Sequence, residues 1–362
     1  MSALTTNYLT PTGREEAWRF TPLNRLHGLH NLEIALEDRI SLAAQNLPEG
    51  ATWVAHPARE TPTHSQTEDV VIHRVRETAS SVSVLKIAPN VELKEPIHLR
   101  RVKGSNNPQA SRTIIRAGNH SHSVIFVENT GEGIFAEEIE IVIETGAKVT
   151  FITLQEWDDS AVHLGRHHAI VGKDASFTSV VITVGGSLVR LLPTVEYSGS
   201  GASAELFGLY FATDGQHLEH RVHVDHNIGH AKSRVNYKGA LSGDGARTVW
   251  IGDVFIRSNA EGTDTYELNR NLLLSDGARA DSVPNLEIET GDILGAGHAS
   301  TTGRFDDEQL FYLQSRGIPE ADAKRLVIRG FFLEILAQIN DATIEERIME
   351  RIDSELSKVD IS

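Results

Sequence analysis

The chain carries 17 histidines and no cysteine. Any coordination or proton chemistry it performs alone must therefore use imidazole and carboxylate. The missing thiols exclude a disulfide-built scaffold and a cysteine-ligated zinc or iron–sulfur site held by this chain alone. The densest imidazole group is His217, His220, His223, His226 and His230. A metal there would require two or three rings converging within coordination distance. On a strand, period-two alternation divides them instead. His217, Glu219, Arg221, His223 and Asp225 then share one face, expected to be a solvated exterior. Leu218, His220, Val222, Val224 and His226 share the other, expected to be core or rim. His163, His167 and His168 are expected at the surface. His298 stands apart in Gly295-Ala296-Gly297-His298-Ala299-Ser300-Thr301-Thr302-Gly303. That small-residue stretch is expected to be a flexible loop leaving the imidazole open to a partner or a metal.

Other chemistry is absent as motif. The sequence has no G-x-x-x-x-G-K-[ST], no G-x-G-x-x-G opening a helix, no H-E-x-x-H and no G-x-S-x-G. If its process consumes nucleotide, another chain binds it. A net charge of −16 repels phosphate backbones and anionic lipid, so neither nucleic acid nor membrane is an expected partner. The first residues lack a basic segment followed by an apolar one, and no window suits a membrane span. The expected location is cytoplasmic.

The elements that must hold these residues change along the chain, and three regions are expected: 1–69 helical or mixed, 70–303 a β core, and 304–362 helical. Near the start, Thr12 to Trp18 predicts a short helix with Thr12 as N-cap and Glu15 three residues on. A second is predicted from about Leu36 to Leu47. From Val70 to Ile288, short β-branched runs bounded by turn residues follow one another, beginning with Val70-Val71-Ile72. A turn residue and an alanine recur before strands at Ala147, Ala175, Ala202, Ala246 and Ala278, spaced 28, 27, 44 and 32 residues apart. Without intervening helices, that spacing suits coils of a solenoid better than hairpins of a sandwich. After Gly303, helices are predicted over Gln309 to Ser315, from Pro319 to about Ile339, and from a capping box at Thr343-Ile344-Glu345-Glu346. In the last, Ile344, Ile348, Ile352 and Leu356 form one apolar stripe. Adjacent Phe331 and Phe332 cannot both face one neighbour, so one is expected to serve a second surface.

Several motifs in order carry a resemblance. Asn269-Arg270-Asn271-Leu272-Leu273-Leu274-Ser275-Asp276-Gly277-Ala278-Arg279-Ala280 is followed by Val283-Pro284-Asn285-Leu286-Glu287-Ile288 and by His298-Ala299-Ser300-Thr301-Thr302-Gly303. Asp307-Glu308-Gln309-Leu310-Phe311-Tyr312-Leu313 and Ser315-Arg316-Gly317-Ile318 come next. Together these resemble the C-terminal signature of the SufB/SufD family of iron–sulfur cluster assembly proteins. His223-Val224-Asp225-His226, Gly252-Asp253-Val254 and the N-terminal run Arg14 to Leu23 are similar to it too. SufB subunits typically carry cysteine where this chain has Ala278 and glutamate where it has Ala299, so the chain is identified as SufD-like.

The resemblance implies a mainly β fold: a right-handed parallel β-helix with small helical N-terminal and C-terminal regions. It implies a non-catalytic scaffold pairing with a SufB-like subunit and docking a SufC-like ATPase through the C-terminal helices. Docking candidates are Phe311, Tyr312, Arg316, Phe331 and Phe332. His298 matches the imidazole that the family offers across the SufB–SufD seam, and so becomes the candidate ligand for iron or a nascent cluster, in the heterocomplex only. No cofactor is expected to be tightly bound by the isolated chain, and the open coil edge predicts a homodimer when it is alone. Two other classes stand beside this reading. One is a carbohydrate-active β-helix enzyme, which would need paired carboxylates or a basic residue with a metal in one groove. The other is a metalloenzyme built on His217, His220, His223 and His226.

Overall fold

The alternating strands wind into a parallel β-solenoid of about seven turns. The computed structural model describes residues 8–39, 42–55, 67–80, 82–101 and 107–359. Each coil gives one strand to each of two sheets. The first stacks Val82–Ile87, Pro108–Ala117, Ile134–Ile143, Val162–Val171, Leu188–Tyr197, His217–His226, Arg247–Ile256 and Arg279–Ile288. The second stacks Ile97–Arg101, His122–Gly131, Lys148–Trp157, Ser176–Thr183, Ser203–Ala212, Lys232–Leu241, Asp264–Leu273 and Gly295–Gly303. Between them lies one apolar core, from Leu42 and Leu85 to Trp250 and Val254.

The turn alanines are the corners of this core. Ala147, Ala175, Ala202 and Ala246 are at most 1% exposed, each after a residue with positive φ: Gly146, Asp174, Gly201 and Gly245. The 44-residue gap has a simple origin. Ala202 precedes a strand of the second sheet and Ala246 one of the first. The second sheet's own register continues at Ala231, fully buried, where His230 takes the left-handed turn at φ 62°.

Both outer faces are covered. On the first sheet lies an N-terminal strap: turns over residues 15–21, a 3-10 turn at Leu23–Arg25, and helix α1 (Val70–Thr78). Trp18, Leu26, Leu29, Val71 and Val75 pack there on Ala136, Leu164 and Leu188. On the second sheet lie α3 (Glu320–Leu336) and α4 (Ala342–Lys358), with α2 (Asp307–Ser315) packed against α3. The Ile344, Ile348, Ile352 and Leu356 stripe joins Phe332 and Ile335 against Ile152, Ile182 and Leu209. The strands Leu42–Ala44 and Ala51–Val54 pair antiparallel with the first coil and close that end. At the other end, Arg279–Ile288 and Gly295–Gly303 each have a strand neighbour on one side only among the described residues.

Several local expectations are corrected. Thr12 to Trp18 forms turns rather than a helix. The Glu15 carboxylate accepts from Thr12 N, Thr12 Oγ1 and Gly13 N, so the capping contact exists without the helix it would cap. The stretch expected helical from Leu36 to Leu47 holds short strands, Glu37–Asp38 and Leu42–Ala44; residues 40–41 within it, like 1–7 at the start, lie outside the described residues. Val70-Val71-Ile72 opens α1, because the Asp69 carboxylate accepts from Val71 N and Ile72 N and outweighs β propensity. The last helix is capped by Asp341 rather than Thr343. Residues 295–303 are a strand, not a loop.

Candidate functional site

His298 lies on that last strand, at the open end of the solenoid. It is in register with Glu267 on the preceding coil, with Nδ1 3.8 Å from Glu267 Oε1. The two side chains meet solvent very differently: His298 is 46% exposed and Glu267 0%. Neither Glu267 oxygen has a hydrogen-bond partner among the described residues. Burial, with Asp253 adding repulsion, pushes its carboxyl up to about 8. The carboxyl occupies space that a side chain at position 252 would take. A Cβ on Gly252 would stand 2.2 Å from Glu267 Oε2 and 2.5 Å from the Trp250 ring. Around the mouth, Ser300 Oγ donates to Ser282 Oγ at 2.8 Å, and Asn271 Nδ2 donates to Thr302 Oγ1 at 3.4 Å. Farther in, Asn269 and Asn271 bond the Tyr210 hydroxyl at 2.8 and 2.9 Å. The open coil thus presents an accessible imidazole over a neutral buried carboxyl and a hydroxyl rim. Sequence reasoning missed Glu267, whose signal was its place 31 residues before His298, one coil away.

The histidine group does not converge. His220 is inside the solenoid, accepting from or donating to Thr183 Oγ1 at 3.0 Å, and burial takes its pKa down to about 3. His226 is inside too, 2.9 Å from Ser233 Oγ, and burial lowers it to about 4. His217 and His223 face outward, and His230 is an exposed turn residue. Among the described residues no three His, Cys, Asp or Glu side chains could hold a metal ion, so the metalloenzyme reading has no ligand set. The expected solvated face is also corrected. His217 and Glu219 are at most 1% exposed, because the strap covers them. Thr21 Oγ1 donates to Glu219 Oε2 at 2.7 Å, and Arg190 bridges Glu219 at 3.1 Å to Asp69 at 2.5 Å while stacking on Trp18. This is what the N-terminal motif does. His163, His167 and His168, expected at the surface, are all buried: the first two line the interior beside Glu137, and His168 lies on the outer face. Every residue of Val162–Val171 is buried, a two-sided covering that alternation cannot reveal.

The docking candidates separate. Phe311 is 72% and Tyr312 57% exposed, with Arg316 over the Tyr312 ring. Phe332 is fully buried between α3 and the second sheet. Phe331 is half-buried, its ring under Lys238 Nζ at 4.6 Å. The second surface expected of this pair is therefore the chain's own Lys238.

Comparison with known proteins is consistent in direction. A family model for the SUF system FeS cluster assembly SufBD core domain matches residues 100–331. A Mycobacterium tuberculosis iron–sulfur cluster assembly SufBD family protein is 45% identical over 361 residues, covering 96% of this chain and 89% of the relative. A Mycobacterium leprae protein of the same description is 44% identical over 356 residues, covering 96% and 91%. The Escherichia coli iron–sulfur cluster assembly protein SufD is 25% identical over 388 residues, covering 96% and 89%.

Proposed function

Because the chain belongs to the SufBD family of SUF-system iron–sulfur cluster assembly proteins, we propose that it is the SufD-like scaffold of a complex with a SufB-like subunit and a SufC-like ATPase. The observation that carries this reading is the half-exposed His298 on a terminal strand whose outer edge has no strand partner among the described residues, in a chain without any thiol. Iron and sulfide demand thiolate ligands, which must come from the partner. This chain adds a nitrogen ligand at the seam, and iron or the nascent cluster is cargo rather than a resident cofactor. The exposed Phe311 and Tyr312 on α2 supply the apolar contact for the ATPase, and ATP turnover belongs to that subunit. When the chain is alone, the same open edge pairs two copies.

The test is His298→Ala in the complex co-expressed with both partners. We expect a complex of unchanged size on gel filtration and a reduced yield of bound iron and acid-labile sulfide. An unchanged yield from an intact complex removes His298 from the mechanism.

A further inference from the structure

Two motifs, His223-Val224-Asp225-His226 and Gly252-Asp253-Val254, meet on the outer face of the first sheet through His223 and Asp253, while Gly252 faces inward against Glu267. His223 is in register with Asp253 and, on the other side, with Thr194, which is itself in register with His168. These four residues form one rung across four strands. They floor a cleft of about 690 Å³, walled by Ala17 and residues 67–69 of the strap. The cleft is far larger than a water site and lies in the range of small-molecule pockets.

Its polar groups are unevenly matched. Arg190 is paired with Asp69 and Glu219, and Arg257 with Asp225 and Glu289. Arg221 is not matched in this way. Its side chain is 12% exposed, and Nη1, which faces its nearest carboxylate, Glu219, at 3.8 Å, is buried without a hydrogen-bond partner among the described residues. Glu219 already serves Arg190, Thr21 and His217. A buried guanidinium with an unused donor is costly unless an anion completes it. His168 Nε2 is likewise buried and without a hydrogen bond among the described residues, 3.6 Å from Glu196. Beside these donors stand acceptors: Glu196, the Thr194 hydroxyl, which already bonds His168 Nδ1 at 2.8 Å and keeps a free lone pair, and Asp253, which accepts only from Asn285 Nδ2, at 2.7 Å, among the described residues.

We propose that this cleft binds a small organic oxyanion bearing hydroxyl groups, with Arg221 on the anionic group and Asp253 and Thr194 on the hydroxyls. The cleft does not include His298 and does not depend on the assembly reading, although Asp253 also acts on Glu267 through the sheet. Phosphate esters and carboxylates share the required chemistry, so both are tested. Calorimetric titration of the full chain uses glucose 6-phosphate, gluconate, inorganic phosphate and glucose. We expect saturable binding of glucose 6-phosphate or gluconate, at least tenfold tighter than either phosphate or glucose. Arg221→Gln should weaken it at least tenfold, read well below the variant's own melting midpoint, which falls modestly because Arg221 also helps hold the Glu219 carboxylate. The near-isosteric Asp253→Asn serves as the second variant, weakening the hydroxylated ligand several-fold and leaving inorganic phosphate unaffected. Absence of saturable binding by the wild-type chain, phosphate binding as tightly as its ester, or undiminished affinity in folded Arg221→Gln would each overturn the assignment.

Discussion

Replacing Arg190 by Met tests how the strap is held. Arg190 is 1% exposed and joins three layers. It bridges Asp69 at the N-cap of α1 to Glu219 on the first sheet, donates to Ala17 O at 3.0 Å and stacks on Trp18. Met keeps much of the volume and deletes the charge. Two carboxylates are then left buried together, with Thr21, His217 and Arg221 as the remaining polar neighbours of Glu219 among the described residues. Removing one partner of a buried ion pair costs about 3–5 kcal/mol, which for a chain of this size lowers the melting midpoint by something on the order of 5–15 °C. The sign of the pH dependence makes the test specific. Burial would raise the Glu219 carboxyl, yet Arg190, His217 and Arg221 hold it at about 2. A lowered carboxyl stabilises the wild type above the unfolded value near 4.5, and that contribution is lost as pH falls from there toward 2. Without Arg190, desolvation dominates and the carboxyl rises. The variant's deficit should therefore be largest near pH 7 and shrink on acidification toward pH 5. Thermal melts of both proteins from pH 7.5 to 4, with limited proteolysis reporting release of residues 8–39, supply the measurement. A loss below about 1 kcal/mol, or a deficit independent of pH, refutes this account.

Further perturbations probe the interior and the helices. His220 is neutral when folded, its pKa lowered from 6.5 to about 3, so its contribution is intact above pH 6.5 and lost as pH falls toward 3; His220→Phe should flatten the acid limb of stability between pH 6.5 and 4 in melts, and an unchanged limb counts against it. A Cβ at Gly208 would stand 2.0 Å from the buried Tyr237 ring, so Gly208→Ala should cost at least about 1–3 kcal/mol by denaturant titration. Phe332→Ala should cost about 3–5 kcal/mol. The double change Phe311→Ser and Tyr312→Ser should leave the melt within a degree or two but weaken ATPase retention in a pull-down; equal melts for Phe332→Ala and wild type would contradict the packing described.

Much of this protein was legible in its sequence because local chemistry decides it. Turn residues followed by alanine marked the corners, since only a small side chain fits where one coil stacks on the next. Period-two alternation correctly sent His220 and His226 inward. The ordered motifs from Asn269 to Ile318 identified the family, and the missing thiols stated what the chain cannot do. Tertiary structure decided what alternation cannot encode, because a strand's pattern records two faces but not what covers the outer one. The strap over the first sheet buried His217, Glu219 and His168, and an Asp69 cap turned Val70-Val71-Ile72 into a helix. Coil-to-coil register, a relation between residues about 30 positions apart, set Glu267 beneath His298 and His223 beside Asp253. Neither pair could be read from neighbours along the chain, since both exist only once the solenoid has wound.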